Sequence, residues 1–318
     1  MILNQLKTYV TLFFISLLIV SCNNTPITES NSSTSKSQES PEIIKKNQKI
    51  IIGDISDKPV KKIQKYQPLA DYLADNLKDL DIKIGEVKIA PDIESMIQML
   101  KSGEVDIYVD SLYPAMIVSQ ESGAKPILRR WKKGIGEYNT VFLVRADSNI
   151  NSIEQLKGKK IGLEKSFSTS GYFLPIVYLF EKGFDPIEKE SSNSTINNDE
   201  IAYVFTRKDE NTIQWLISNK IDAGAIDNGS FSELPQESQK KLSVIAETEA
   251  IARQVVLIRN DLDSQQQEAI KNLLLELDKT SEGKEILEKF ENTTKFDDFP
   301  ASDWERMQEL YELFKNNN

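Results

Sequence analysis

Apolar and polar residues alternate along this chain in two patterns, one typical of buried strands and the other of amphipathic helices. Three apolar runs, Lys49–Gly53, Ile82–Ile89 and Val105–Val109, are short and rich in β-branched residues, which predicts strands. Between them, apolar residues recur at helical spacing over Tyr66–Leu77 and Ile93–Leu100. Strand, helix, strand, helix, strand predicts an α/β fold whose mainly parallel sheet is covered by helices. Such sheets bind ligands at the carboxyl ends of their strands.

The same unit recurs later in the chain. Ile97–Asp106 resembles Ile213–Asp222, 116 residues further on, with Ile, Gln, Leu, Ser and Asp identical. A second pair, Val144–Asp147 and Ile258–Asp261, is separated by 114 residues. The nearly equal offsets predict two α/β lobes of similar design. The alternative is that short helix–strand units resemble one another by chance.

Two long apolar segments are suited to cross between such lobes. We expect Thr140–Arg145 to leave the first lobe and Val255–Arg259 to return to it. The first lobe then comprises residues 49–144 plus 259–318, and the second comprises residues 145–258. Helical periodicity after residue 263 predicts helices that support the first lobe. Two lobes joined by two hinge strands close on a ligand held in the cleft between them.

The N-terminal residues have the pattern of an export signal. Lys7 precedes a mostly apolar run, Thr8–Val20, that is too short to span a bilayer and ends in Ser21 and Cys22. The small residue before a cysteine resembles a bacterial lipobox. We therefore expect a signal peptide over residues 1–21, lipidation of Cys22 and a polar tether over residues 22–48. The alternative is an ordinary signal peptide that happens to end at a cysteine.

Composition excludes several classes of function. A formal net charge of −10 disfavours nucleic acid as a partner. The chain has no histidine and one cysteine, which excludes Ser-His-Asp hydrolysis, Cys-His catalysis and an internal disulfide. The carboxylates show no metal-like spacing and no glycine-rich loop matches a nucleotide-binding motif. We expect no metal, no cofactor and a monomer.

The stretch Ser168-Thr169-Ser170-Gly171 is the strongest candidate for a binding site. It follows an apolar strand, Lys160–Leu163, and precedes a helix that begins near Tyr172. Hydroxyl groups and the free N–H groups at the start of a helix can bind a tetrahedral oxyanion without any lysine. The alternative is a Ser/Thr-rich cap that serves only the helix.

Several motifs together resemble one known family. They are Gly103–Asp106, Tyr113–Pro114, Leu156–Ile161, Ser168–Tyr172 with Pro175, and Ile221–Gly224. The chain resembles the phosphate/phosphite/phosphonate substrate-binding proteins of ABC transporters over about residues 53 to 262. This resemblance implies a two-lobed periplasmic-binding-protein type II fold and an oxyanion site between the lobes. It also implies a membrane permease as partner.

Some site residues follow from the resemblance. The family's anion-binding turn matches Ser168, Thr169, Ser170 and Gly171, and its ligand-facing tyrosine matches Tyr113. Many members have Ser-His-Asp where this chain has Asp209. An aspartate there accepts a hydrogen bond from a protonated ligand oxygen and repels a fully ionised one, so phosphate or phosphite would be favoured over sulfate. The alternative is that Asp209 caps the helix that follows it.

Other candidates rest on position alone. Asp54 ends the first strand, while Ser111 and Asp227 follow corresponding strands of the two lobes, so all three are expected on the cleft side. Tyr138 precedes the first hinge strand and either covers the ligand or packs in the core. The basic run Arg129–Lys133 either attracts an anion or stacks on it, or forms a solvated edge, which is typical of a run of like charge.

These observations favour a lipid-anchored binding protein that captures a small phosphorus oxyanion and delivers it to a membrane permease. Two alternatives stay open within binding proteins, a sulfonate or other oxyanion as the ligand and a sensory role coupled to signalling. From another class, an exported enzyme would have to work with carboxylates. We expect no enzymatic activity.

Overall fold

The structure, a computed structural model, describes residues 48–318 and contains two six-stranded sheets flanked by helices. The first part of the chain forms β1 (Lys49–Ile55), α1 (Pro59–Asn76), β2 (Ile84–Ala90), α2 (Ile93–Lys101), β3 (Ile107–Asp110), α3 (Leu112–Ser122), β4 (Lys125–Lys132), β5 (Glu137–Tyr138) and β6 (Thr140–Arg145). The middle part forms β7 (Lys159–Leu163), α4 (Leu174–Glu181), β8 (Pro186–Glu188), β9 (Ile201–Phe205), α5 (Asp209–Ile217), β10 (Ala223–Asp227), α6 (Asn228–Ser232), α7 (Gln236–Gln239) and β11 (Leu242–Glu247). The last part forms β12 (Ile251–Ala252), β13 (Val255–Ile258), α8 (Ser264–Glu276), α9 (Ser281–Lys289), β14 (Thr293–Asp298) and α10 (Ala301–Asn317).

The first sheet has the strand order β14-β4-β13-β3-β1-β2. Strands β2, β1 and β3 are parallel, and β13 is antiparallel to both β3 and β4. The late strands β13 and β14 therefore complete a sheet that the first residues begin. The carboxyl ends of β1 and β3 lie at one edge, as the sequence predicts.

The second sheet has the order β11-β6-β10-β7-β9-β8. Strands β8, β9, β7 and β10 are parallel, and β6 runs antiparallel to β10 and β11. The predicted hinge segment Thr140–Arg145 coincides with β6. Two lobes with parallel strands covered by helices confirm the predicted fold class.

The internal repeat is confirmed at the level of single hydrogen bonds. Helices α2 and α5 begin and end at positions that differ by the predicted 116 residues. Before β3, the Asp106 carboxylate accepts a hydrogen bond from the Ile51 N–H at 2.8 Å. Before β10, the Asp222 carboxylate accepts one from the Lys160 N–H at 2.9 Å. Each aspartate thus fastens the strand that follows it to a parallel neighbour, β3 to β1 and β10 to β7.

Helix α10 packs against two helices, α3, which follows β3 of the first sheet, and α4, which follows β7 of the second sheet. Its Phe314 ring lies 5.6 Å from the Tyr113 ring in α3 and 5.4 Å from the Phe173 ring beside α4. Arg306 of the same helix pairs with Glu181 at the end of α4 at 2.7 Å. The last helix therefore joins the half of the protein built on the first sheet to the half built on the second sheet, through an aromatic cluster of Tyr113, Phe173 and Phe314.

The basic run over Arg129–Lys133 is not a solvated edge, so that interpretation is wrong. It lies on and just after β4, which pairs with β14, and the Arg130 side chain is 0% exposed. The Arg130 guanidinium donates hydrogen bonds to Thr293 Oγ1 and to the Phe290 carbonyl, each at 2.8 Å. A buried arginine requires such acceptors, and the antiparallel pairing supplies them.

The predicted signal peptide, Cys22 and almost all of the predicted tether lie outside the described residues. Within residues 48–318 every helix is too short or too polar to cross a membrane. The residue boundaries of the two lobes stay a prediction.

Candidate functional site

The Ser168–Gly171 stretch lies where the sequence predicts it, between the end of β7 and a helix. The helix begins earlier than predicted, with a π-helical turn over Thr169–Phe173 that continues into α4. Ser168 caps this turn, because its Oγ accepts a hydrogen bond from the Gly171 N–H at 2.9 Å. A Cβ atom on Gly171 would lie 2.6 Å from the Glu164 Cβ, so only glycine fits there.

The three hydroxyl groups of this turn have different surroundings. Ser168 and Thr169 are buried, whereas Ser170 is partly exposed. Thr169 Oγ1 accepts a hydrogen bond from the Tyr113 N–H at 3.0 Å, which ties α3 of the first half to the turn of the second. Thr140 Oγ1 donates to the Ser170 carbonyl at 2.7 Å and fixes the turn against β6. The first N–H groups of a helix lack intrahelical acceptors, which makes this rigid turn suited to an anion.

Tyr138 borders the turn from the side of the hinge. It lies on β5, which pairs with β12 in a two-stranded sheet. Along the chain, each of these two strands stands between a strand of one large sheet and a strand of the other. Burial raises the pKa of the Tyr138 phenol, while the neighbouring Thr169 hydroxyl and the Arg253 guanidinium act in the opposite direction. The phenol therefore stays protonated and can donate a hydrogen bond.

A group of carboxylates lies on the other side of the turn. The pKa of Asp209 is raised to about 7 by burial and by the nearby charges of Glu164 and Asp227. Asp227 caps α6, accepting hydrogen bonds from the Ser230 N–H at 2.9 Å and from the Ser230 hydroxyl at 2.5 Å. Asp209 itself is the first residue of α5 and lies outside its capping position, which Lys208 occupies.

Glu164, Asp209 and Ser230 line a pocket of about 430 Å³. Within residues 48–318 no group of three or more potential metal-binding side chains is arranged to hold an ion. Glu164 connects this pocket to the predicted oxyanion turn, Ser168–Gly171, because its N–H donates a hydrogen bond to the Gly171 carbonyl at 2.8 Å. A ligand that fills both places meets hydrogen-bond donors at one end and carboxylates at the other.

The first half contributes Asp54, Ser111 and Tyr113, each with a partner. Asp54 is 4% exposed and pairs with Lys62 at 2.6 Å, and burial raises its pKa although the ammonium opposes this. Ser111 occupies the N-cap position of α3 without a capping bond from its side chain, and its N–H donates to Asp110 Oδ1 at 2.7 Å. The Tyr113 ring stacks on Phe173 at 4.4 Å between centroids, inside the aromatic cluster.

The structure thus brings Tyr138 together with Thr169 and Ser170, and brings Asp209 together with Asp227. It places Asp54 in an ion pair in the first half. Sequence reasoning missed Arg253, beside Tyr138, and no motif in the sequence points to it. A separate cavity of about 450 Å³, lined by Lys49, Lys101 and Arg259 among others, contains none of the predicted site residues.

Comparison with known proteins decides the family. Residues 52–304 match the family model described as "ABC transporter, phosphonate, periplasmic substrate-binding protein". The chain belongs to this family. The predicted resemblance is confirmed, and the family consists of substrate-binding proteins of transporters, not of enzymes.

This member of the phosphonate-binding family is similar to individual proteins over most of its length. The Phosphonates-binding periplasmic protein of Escherichia coli is 26% identical over 227 residues, which are 69% of this chain and 63% of that protein. XAC2383 from Xanthomonas citri, solved bound to chloride ion, is 27% identical with a TM-score of 0.77, covering 84% of this chain and 97% of that one. The same protein was also solved bound to ATP. PhnD1 from Prochlorococcus marinus, solved with methylphosphonate, is 17% identical and has a TM-score of 0.62 over 85% of this chain and 99% of that one, which supports the fold.

Proposed function

We propose that this protein captures a small phosphorus oxyanion (phosphate, phosphite or a phosphonate) between its two lobes and delivers it to an ABC permease. The observation that carries the proposal is the capped, glycine-dependent turn at Ser168–Gly171 in a member of the phosphonate-binding family. The turn combines hydroxyl groups with a helix start, which is the chemistry that holds phosphoryl oxygens. Closure traps the ligand, and the permease recognises the closed form.

The binding test compares phosphate, phosphite, methylphosphonate, 2-aminoethylphosphonate and sulfate by calorimetry and thermal shift on the purified protein. A ligand at a hundred times its Kd stabilises the fold by about 2.7 kcal/mol. The double variant Ser168→Ala/Ser170→Ala should lose this effect. Ser166→Ala is the matched control, because Ser166 is exposed in the same loop and lies outside the turn.

Binding of one phosphorus oxyanion by the wild type and by Ser166→Ala, but not by the double variant, would support the proposal. Equal binding by all three proteins would show that the ligand binds elsewhere than at the turn. Tight binding of sulfate alone would favour a sulfonate-type ligand, the alternative that the sequence leaves open.

We also propose that Cys22 carries a lipid that anchors the exported protein to a membrane. The support is the sequence around Cys22, and family membership agrees with export. Labelling cells with an alkyne fatty acid should mark the wild type and not Cys22→Ser. A labelled Cys22→Ser protein would refute the anchor.

A nucleotide is a second candidate ligand. One relative was solved bound to ATP, and in this chain the Phe167 ring, directly before the turn, is 54% exposed. An exposed ring beside a phosphate seat can stack on a base. ATP binding that Phe167→Ala weakens, without any change in phosphate binding, would favour a nucleotide sensor over a transporter of small oxyanions.

A further inference from the structure

The predicted oxyanion site is rich in carboxylates, and Lys208, the cation that lines the neighbouring pocket, is exposed to solvent. Glu164, which contacts the turn, lies near Asp209, and Asp209 lies near Asp227. On the side of the first half, the Lys62 ammonium is already held by Asp54 at 2.6 Å and by Glu291 at 2.9 Å. A multiply charged anion would meet net repulsion in such surroundings unless one further cation faced it.

Arg253 is placed to supply that charge. It lies between β12 and β13, and its N–H donates to the Gly136 carbonyl at 2.8 Å, which fixes its backbone in the hinge. Its guanidinium carbon lies 5.5 Å from the centre of the Tyr138 ring. The hydroxyl end of that ring neighbours Thr169 and Ser170. Tyr138 therefore links Arg253 to the oxyanion turn.

The opposite flank of Arg253 is the start of α6. Its Nη1 atom lies 3.8 Å from the position that a Cβ atom on Gly229 would take. Gly229 follows Asp227 and Asn228 at the carboxyl end of β10. The guanidinium thus lies between Tyr138 on β5 and the carboxyl end of β10, which is the end of the strand where ligands bind in such sheets.

Among the arginines of residues 48–318, Arg253 is distinguished by a half-buried guanidinium with neither an ion pair nor a hydrogen bond. Five others form ion pairs, and Arg207 is exposed to solvent. The guanidinium nitrogens of Arg253 are not among the buried side-chain atoms that lack a partner, so they remain accessible to water and to a ligand. An oxyanion bound beside Tyr138 would replace water at these nitrogens.

We propose that Arg253 is a specificity-determining residue that holds two oxygens of the bound oxyanion from the hinge, opposite the Ser168–Ser170 turn. The planar guanidinium matches two oxygens of one tetrahedral group. The site then selects ligands with at least two unsubstituted oxygens on phosphorus. This inference rests on the proposed function and names the residue that neutralises the charge of its ligand.

The test measures the affinity for inorganic phosphate and methylphosphonate by calorimetry for wild type, Arg253→Gln, Arg253→Lys and Arg207→Gln. Arg207→Gln is the matched control, since it removes the same charge from an exposed site. Loss of a charged hydrogen-bonding partner should weaken binding roughly 10- to 150-fold in Arg253→Gln. Arg253→Lys should recover part of the loss, because lysine keeps the charge without the fork. Arg207→Gln should bind within about twofold of wild type.

Two further readouts separate ligand contact from a structural role. The unliganded melting temperature of Arg253→Gln should match that of wild type, and the salt dependence of its phosphate affinity should be weaker. If wild type binds phosphate and Arg253→Gln binds it equally well, the role of Arg253 is refuted while the proposed function stands. If wild type binds none of the phosphorus oxyanions, both are refuted.

Discussion

Replacing Asp209 by asparagine should stabilise the protein, and more strongly at alkaline pH than at acidic pH. The carboxyl group lies in a partly buried position next to Glu164 and Asp227, which raises its pKa to about 7. At alkaline pH the folded protein must hold this negative charge among others, whereas the unfolded chain holds it in water. Asparagine keeps the shape of the side chain and removes the charge.

The size of the effect follows from the two pKa values. Below the ordinary pKa of 3.8 the group is protonated in both states, and above about 7 it is ionised in both. Between these values the folded protein binds a proton that the unfolded chain has lost, so the free energy of unfolding falls as the pH rises. From about pH 5 to about pH 8 the loss amounts to at most about 2.5 kcal/mol.

The assay is urea unfolding of wild type and Asp209→Asn near pH 5 and near pH 8. The stabilisation by the substitution should be larger near pH 8 by up to about 2.5 kcal/mol. Glu210→Gln is the control, since Glu210 is an exposed acid in the same helical turn. Its effect should stay within about 0.5 kcal/mol at either pH. An Asp209→Asn effect independent of pH would show that Asp209 ionises normally and would refute the reasoning.

Three other substitutions test contacts within the fold. Phe314→Ala opens a cavity in the aromatic cluster with Tyr113 and should lower the free energy of unfolding by about 3 to 4 kcal/mol in urea titrations; an unchanged midpoint would contradict the role of α10. Gly85→Ala would place a Cβ atom 2.1 Å from the Ala70 carbonyl oxygen, so the soluble yield should drop sharply, and a normal melting curve would refute this close approach. Thr169→Val leaves the Tyr113 N–H without its acceptor and should cost about 1 to 3 kcal/mol. Hydrogen exchange at the Tyr113 amide should accelerate, and an unchanged exchange rate would count against the link.

The strands and the repeat could be predicted because buried parallel strands are continuous apolar runs. Strand β1 shows this well, since its apolar run pairs in parallel with both β2 and β3, and the antiparallel β6 also has the predicted bounds. The repeated aspartates Asp106 and Asp222 are readable as sequence identities because they make the same backbone hydrogen bond in each lobe. The turn at Ser168 was also readable, since hydroxyl residues between a strand and a helix form a local signal.

Features that depend on distant pairing could not be read in this way. Arg130 resembles a surface charge until β14 is placed beside β4, where it supplies Thr293 as an acceptor. Arg253 follows the same rule, because its significance depends on Tyr138, which the hinge brings next to it. The start of α1 at Pro59 was missed since its first turns are largely exposed, including the apolar Val60 and Ile63, and so show no apolar face.

The position of β13 has a consequence for the order of folding. This strand lies between β3 and β4 although it follows them by more than a hundred residues, so the first sheet stays open until almost the whole chain is available. Pairings over such distances form slowly. During synthesis the second sheet, β6 to β11, is available once residue 247 has been made, whereas the first sheet must wait for β13 and then for β14.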